Sequence, residues 1–178
     1  MRRTLALILA SLGLIACGDP NAGALFADVQ YATDCEETRG CTPQPNRDIC
    51  GINRGDPCPE VGGTASLSCL VSGSDPRAVS FSASQSSDFS IRVTQAVVPA
   101  AGGSAGGGSC TVTVVDGPNT FVGPCGAGTP TEAQPCQISN IEFCDDLGNP
   151  TIRGNIFCQS LQNQANPGQR IEVHAKGS

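Results

Sequence analysis

The chain has 178 residues, with ten basic and sixteen acidic side chains and a net charge of −6, so it carries no basic footprint for nucleic acid or an anionic surface. Charged residues make up 15%, against ~25% in typical globular chains, and 22 Gly and 13 Pro point to many turns and few helices. Six Phe, one Tyr and no Trp leave the core to Val, Ile, Leu and Phe, supplemented by the eleven cysteines.

Met1-Arg2-Arg3 is a short positive start, and residues 4–14 form an apolar run of eleven. A spanning helix needs ~20 apolar residues, so the pattern fits an export signal rather than a transmembrane segment. Leu14-Ile15-Ala16-Cys17 then resembles the lipobox of bacterial lipoprotein signal peptides. The resemblance implies cleavage between Ala16 and Cys17 and attachment of fatty acyl chains such as palmitate to Cys17. Each buried methylene contributes ~0.8 kcal/mol, and two chains hold where one is marginal, so the implied membrane anchor is permanent. Gly18 follows, not the aspartate that tends to retain such proteins at the inner membrane of enteric bacteria. The implied location is therefore the bacterial outer membrane, facing periplasm or cell surface. The alternative is an ordinary secretory signal in which Cys17 is incidental. Loss of residues 1–16 would leave 162 residues with eight basic and sixteen acidic groups, a net −8.

With Cys17 assigned to lipid, ten cysteines remain, which in an exported protein reads as up to five disulfides. Cys35, Cys41, Cys50, Cys58 and Cys69 precede a Gly-rich loop, and Cys110, Cys125, Cys136, Cys144 and Cys158 follow it. If all ten pair, at least one bridge joins the two groups. There is no C-x-x-C pair and the only histidine is His174, so no metal site and no cofactor is expected.

Residues 17–33 read as a lipidated tether, with room for a short helical turn at 24–27. Residues 34–63 are dense in Cys, Pro, Gly and Asn with little apolar periodicity, and read as a loop-rich stapled segment. Arg54-Gly55-Asp56 in this segment matches an integrin-binding tripeptide, but a Gly-centred turn accounts for it.

Strand signals dominate residues 64–178. Leu67, Cys69 and Val71 alternate with more polar positions, Val79 and Phe81 alternate with serines, and Phe89, Ile91, Val93 and Val97 form an apolar phase that Gln95 interrupts. Residues 100–109 read as a mobile Gly/Ser loop. Asp116-Gly117-Pro118-Asn119 is a turn signal, and symmetric closure pairs residues whose numbers sum to 235. That register sets Val112 opposite Gly123, Val114 opposite Phe121 and Cys110 opposite Cys125, close enough for a disulfide. A second hairpin turns at Asp145-Asp146-Leu147-Gly148 and pairs residues summing to 294, setting Cys136 opposite Cys158 and Ile138 opposite Ile156. Ile141 and Phe143 fall on the other phase, which requires a bulge or a second buried face. Cys144 is then left over, with Cys69 as its first candidate partner. Residues 159–167 have room for one helical turn, and the last strand, residues 170–175, should point Ile171 and Val173 inward. The sum is a disulfide-stabilised antiparallel β-sandwich of about eight strands, preceded by the stapled segment.

Catalytic constellations are weak. Gly102-Gly103-Ser104-Ala105-Gly106 matches the G-x-S-x-G nucleophile pattern but lies in a glycine run with no strand–turn–helix context. His174 falls on the outward phase of the last strand. Asp145, Asp146 and Asn149 could offer oxygens to Ca²⁺, but the turn explains them already. The whole chain is similar to cysteine-rich Gram-negative outer-membrane lipoproteins, a resemblance that implies no activity. The expected role is a lipid-anchored envelope protein, non-enzymatic, that binds an envelope or surface protein partner or serves structurally. The alternatives are an envelope hydrolase or enzyme accessory on a β-sandwich, and a cysteine-rich inhibitor or display module.

Overall fold

The computed structural model describes residues 24–31, 47–52, 65–85, 88–106, 109–146 and 149–177. Among them the regular structure is all-β: β1 (Ala24–Tyr31), β2 (Arg47–Ile52), β3 (Ala65–Ser72), β4 (Arg77–Gln85), β5 (Phe89–Val98), β6 (Thr111–Asp116), β7 (Asn119–Gly126), β8 (Cys136–Asp146), β9 (Asn149–Asn163) and β10 (Arg170–Gly177). They form one sheet in the order β2-β1-β10-β9-β8-β7-β6-β5-β4-β3. The sheet curls until its ends, β2 and β3, approach each other. Its two halves face one another, so that β4 and β5 pack across from β8 and β9. This is the sandwich expected from the alternating pattern, with eight strands from β3 to β10. Among the described residues every strand pairing is antiparallel except a short parallel contact between β7 and β8.

The core lies between the facing halves. Phe89, Phe121, Ile91, Leu161, Ile171, Val112, Val114 and Val173 are among its largest fully buried side chains. They come from strands that alternate apolar and polar residues, so one face of each is inward. The first hairpin has the expected register, with Val112 opposite Gly123 and Val114 opposite Phe121. The second pairs Cys136 with Cys158 and Ile138 with Ile156, as expected.

Three bulges set the phase of the rest. Gln95, Asn140 and Ser160 are non-glycine residues with φ of 54°, 53° and 61°. Each sits at a break in register: between β4 and β5, between β8 and β9, and between β9 and β10 respectively. A left-handed L-residue costs ~1–2 kcal/mol. The return is apolar burial, because an extra residue swings the following side chains back to the core face. Val93 is followed inward by Ala96, Ile138 by Ile141, and Cys158 by Leu161, all buried. The phase problem at Ile141 is thus resolved by a bulge at Asn140. Ala96 and Val98, rather than Val97, carry the inner face of β5 beyond Gln95.

Other expectations are corrected. Residues 24–31 are neither tether nor helix: β1 alternates Leu25, Ala27 and Val29 with Phe26, Asp28 and Gln30, and pairs with both β2 and β10. With β2 falling inside 34–63, residue 64 is not a boundary between structural units, since hydrogen bonding joins both N-terminal strands to the same sheet. Residues 159–163 continue β9 instead of forming a helical turn. Buried Asn163 ends that strand: its Oδ1 accepts the N–H groups of Ala165 at 2.8 Å and Asn166 at 3.3 Å, and its Nδ2 donates to Asn119 Oδ1 at 3.0 Å.

The Gly/Ser loop is held down. Gly103 and Ile141 exchange backbone hydrogen bonds at 2.8 and 2.7 Å, Ala105 donates to Ile138 at 2.9 Å, and Gly106 donates to Val97 at 2.7 Å. Gly102, at φ +84°, passes so near β8 that a Cβ would lie 2.3 Å from the Ile141 carbonyl oxygen. The loop is a seam between the two halves, and its glycines allow the close approach.

Candidate functional site

Four cysteines make a band across the sheet. Cys125 is beside Cys136 in the parallel β7–β8 contact, and Cys136 is opposite Cys158. Cys110, just before β6, accepts a backbone hydrogen bond from Cys125 at 2.9 Å. Disulfides join Cys110 to Cys125 and Cys136 to Cys158, with Cα atoms 5.0 and 4.0 Å apart. All four residues are between 0 and 3% exposed.

The sheet forks just above this band. At one end of β7, Phe121 and Val122 pair with Asn163 and Gln162 of β9. At the other end β8 enters between the two strands, so Cys125 pairs with Cys136 instead. Between these points Gly123 and Pro124 have no strand partner on their β9-facing edge among the described residues. Proline suits such an edge because it has no N–H to leave unpaired. Gly123 suits it for lack of room: a Cβ there would lie 2.6 Å from both Leu161 Cδ1 and Pro135 Cγ.

Over the fork lies a cleft of about 590 Å³, lined by β7, the 130–135 loop, β9 and Arg170 at the start of β10. That volume is within the ~300–1,000 Å³ of ligand sites. Its walls are tied to the disulfide band through the backbone: Pro124 precedes Cys125, Pro135 precedes Cys136 and Gln159 follows Cys158. Because side chains alternate across a strand, each inward half-cystine fixes an outward neighbour. The loop is closed by reciprocal backbone bonds between Thr131 and Gln134 at 3.0 and 3.2 Å. It is held to the sheet by Gln134 Nε2 donating to the Cys125 carbonyl at 3.1 Å and by the Gln159 N–H donating to the Pro135 carbonyl at 2.8 Å.

The polar groups of the cleft have a defined arrangement. The bulge at Ser160 turns its hydroxyl toward Arg170, whose Nη1 donates to Ser160 Oγ at 2.9 Å. Glu132 lines the same cleft, and no ion pair joins it to Arg170 among the described residues. Gln159, Gln162 and Thr131 add uncharged donors and acceptors.

Of the sequence-predicted site residues, the four band cysteines are brought together. Cys69 is not a half-cystine: it is an exposed free thiol on β3. The expected Cys69–Cys144 bridge is therefore not made, since the Cys69 thiol is free. Partial desolvation of the Cys69 sulfur raises its pKa above the ordinary thiol value. Five bridges are then unattainable with Cys17 lipidated: Cys69 is one of the ten others, so at most four can form. The lipobox with Ala16 and Cys17, together with Cys35, Cys41, Cys58 and the Arg54-Gly55-Asp56 tripeptide, lies outside the described residues. So do the side chains of Cys50, Cys144, Asp145, Asp146 and Asn149.

His174 is exposed, as its outward phase predicts. Its Nε2 is 2.7 Å from Glu172 Oε1, and its ring centroid is 4.6 Å from that of Phe157 on the neighbouring strand. Ser104 sits in the pinned seam, not on the strand–turn–helix elbow that a G-x-S-x-G nucleophile needs.

Sequence reasoning missed the cleft. Two signals pointed to it: Cys158 and Leu161 are apolar three residues apart within a strand, which demands a bulge, and Pro124, Pro130 and Pro135 cluster around two half-cystines. No protein-family model, no curated protein and no solved structure matches the chain.

Proposed function

We propose that the chain is an exported lipoprotein, anchored through Cys17 in the outer membrane of a Gram-negative bacterium, whose β-sandwich binds a partner rather than transforming a substrate. The observation that carries this reading is the pair of buried disulfides. Disulfides of this kind persist in oxidising compartments, which agrees with the export address read from residues 1–17. The cleft above them supports a binding role, because its walls are fixed from below and it presents charged and amide groups together. Gly18 after Cys17 favours the outer membrane over the inner.

The test is metabolic labelling of the full chain with a clickable palmitate analogue, followed by detergent phase partition and membrane fractionation. The wild-type chain should carry label and partition with detergent in the outer-membrane fraction. Cys17→Ser should lose the label and move to the aqueous phase with its disulfides intact. Label that survives Cys17→Ser, or a wild-type chain without label, overturns the anchor. Crosslinked pull-down from the native envelope then tests the binding role: a partner lost when the cleft is altered supports it.

A further inference from the structure

We infer that the cleft at the β7–β9 fork binds a short extended peptide through a carboxylate held by Arg170. This deepens the binding role proposed above and does not depend on the lipid anchor. One of the five guanidinium donors of Arg170 is committed to Ser160 Oγ at 2.9 Å, and no other protein partner holds it among the described residues. A guanidinium fixed at one nitrogen keeps its planar fork for a ligand, and the group that matches that fork is a carboxylate or a phosphate.

Glu132, in the same cleft, favours the carboxylate. Its negative charge opposes a dianionic phosphate more strongly than a monoanionic carboxylate, and its oxygens can accept from the N–H donors of a peptide. Peptide amides also suit Gln159 and Gln162, whose side chains both donate and accept. The three proline rings supply apolar contact without competing donors. The disulfide band beneath preorganises these walls, so little ordering cost falls on binding.

Ser160 is the positioning residue. Its φ of 61° is unfavourable for any side chain other than glycine's absence of one. Ser160→Gly therefore relieves the backbone while releasing Arg170, and separates the placement of the guanidinium from the stability of the fold.

The oxidised full chain in detergent would be titrated calorimetrically with four probes: N-acetyl-trialanine as the free acid, its C-terminal amide, unacetylated trialanine, and N-acetyl-Ala-Asp-Ala amide. Saturable binding of the free acid is expected, with affinity about tenfold or more lower for the trialanine amide, as for loss of one charge-assisted hydrogen bond. Binding of the aspartyl peptide tighter than that of the trialanine amide would support the carboxylate as the held group, and tighter binding of unacetylated trialanine than of its acetylated acid would support the peptide reading by placing an ammonium near Glu132. Arg170→Gln should lose the preference for acid over amide, and Arg170→Lys should keep part of it. Ser160→Gly should weaken acid binding several-fold without lowering the unfolding midpoint, and Arg92→Gln, on the remote β5, should change nothing. Equal binding of acid and amide, an unchanged preference in Arg170→Gln, or no saturable binding of any probe overturns the proposal. Cys17→Ser separates the two readings, because it should abolish anchoring and leave peptide affinity untouched.

Discussion

Replacing Cys136 and Cys158 together by alanine removes the bridge that staples β8 to β9, and replacing Cys110 and Cys125 removes the one that staples β6 to β7. The bridges span sequence separations of 22 and 15. On the loop-closure account these correspond to ~3.4 and ~3.0 kcal/mol at 25 °C, the longer loop costing more. The two loops do not overlap, so their effects on the unfolded chain should add, to ~6 kcal/mol. Each half-cystine is buried, so truncation to alanine also leaves a small void, adding ~1 kcal/mol per site or less. A domain with a stability of ~5–15 kcal/mol should survive either double substitution and be close to unfolded with all four. The assay is equilibrium urea unfolding followed by far-ultraviolet circular dichroism, since the chain has no Trp and one Tyr to report by fluorescence. The denaturant slope should rise as the unfolded chain loses its cross-links and exposes more surface. A loss below ~1 kcal/mol for either bridge would refute the argument, because it would mean that the unfolded chain was not constrained by that loop.

Gly102→Ala should destabilise by ~2 kcal/mol or more, since it combines a left-handed residue with a Cβ driven into the Ile141 carbonyl; an unchanged melting temperature would mean the seam is not fixed there. Asn163→Ala should cost ~2–3 kcal/mol by orphaning the buried groups of the 163–169 turn, a loss readable in the same urea titration. Alkylation of the unreduced chain, read by intact mass, should count at least two thiols: with Cys17 lipidated and Cys69 free, nine cysteines remain and cannot all pair. A count of one would put Cys17 in a disulfide and remove the anchor. Alkylation of Cys69 should be slow at neutral pH and reach its plateau only above the ~8.5 of an ordinary thiol. In stability the sign follows the same way: a raised thiol pKa contributes fully below the unfolded value and is lost as pH rises through the folded one. An alkylation profile matching free cysteine would refute the partial burial.

The strands from β5 onward were legible because their side chains obey two periods at once, alternation along each strand and complementarity across each hairpin. The apolar phase of Val112, Val114 and Phe121 required the 235 register, and the cysteines at its end had to meet. Bulges were legible only as violations: Gln95 interrupts one apolar phase and Ile141 breaks another, and each marks a residue the chain leaves unpaired. The N-terminal strands were missed because β1 has one weak alternation, and what pairs it to β10 is a segment some 145 residues away, which no local pattern announces. β3 is a strand, as its alternation of Leu67, Cys69 and Val71 indicates, but that phase is not the buried face expected of it: Val71 is 37% exposed, and Leu70 on the other phase is 68% exposed. The cleft was missed because it arises from a fork in strand pairing, which the bulge signal at Cys158–Leu161 and the proline cluster accompany without locating. Tertiary arrangement, rather than residue type, brings Arg170 at the start of β10 and Glu132 in the 130–135 loop to the same cavity.

The order of the bridges along the chain bears on how the molecule is made. No cysteine lies between Cys110 and Cys125, so the first bridge closes with the next thiol to be synthesised. The second must pass over Cys144 to reach Cys158. Cys144 emerges first, and the fold puts it near the tip of its hairpin, opposite Thr151, while Cys136 waits for Cys158 at the base. Oxidative maturation of the two hairpins therefore differs in kind. One bridge needs only an oxidant, and the other needs β9 to be laid down in register before the oxidant acts, or an isomerase to undo a premature link between Cys136 and Cys144.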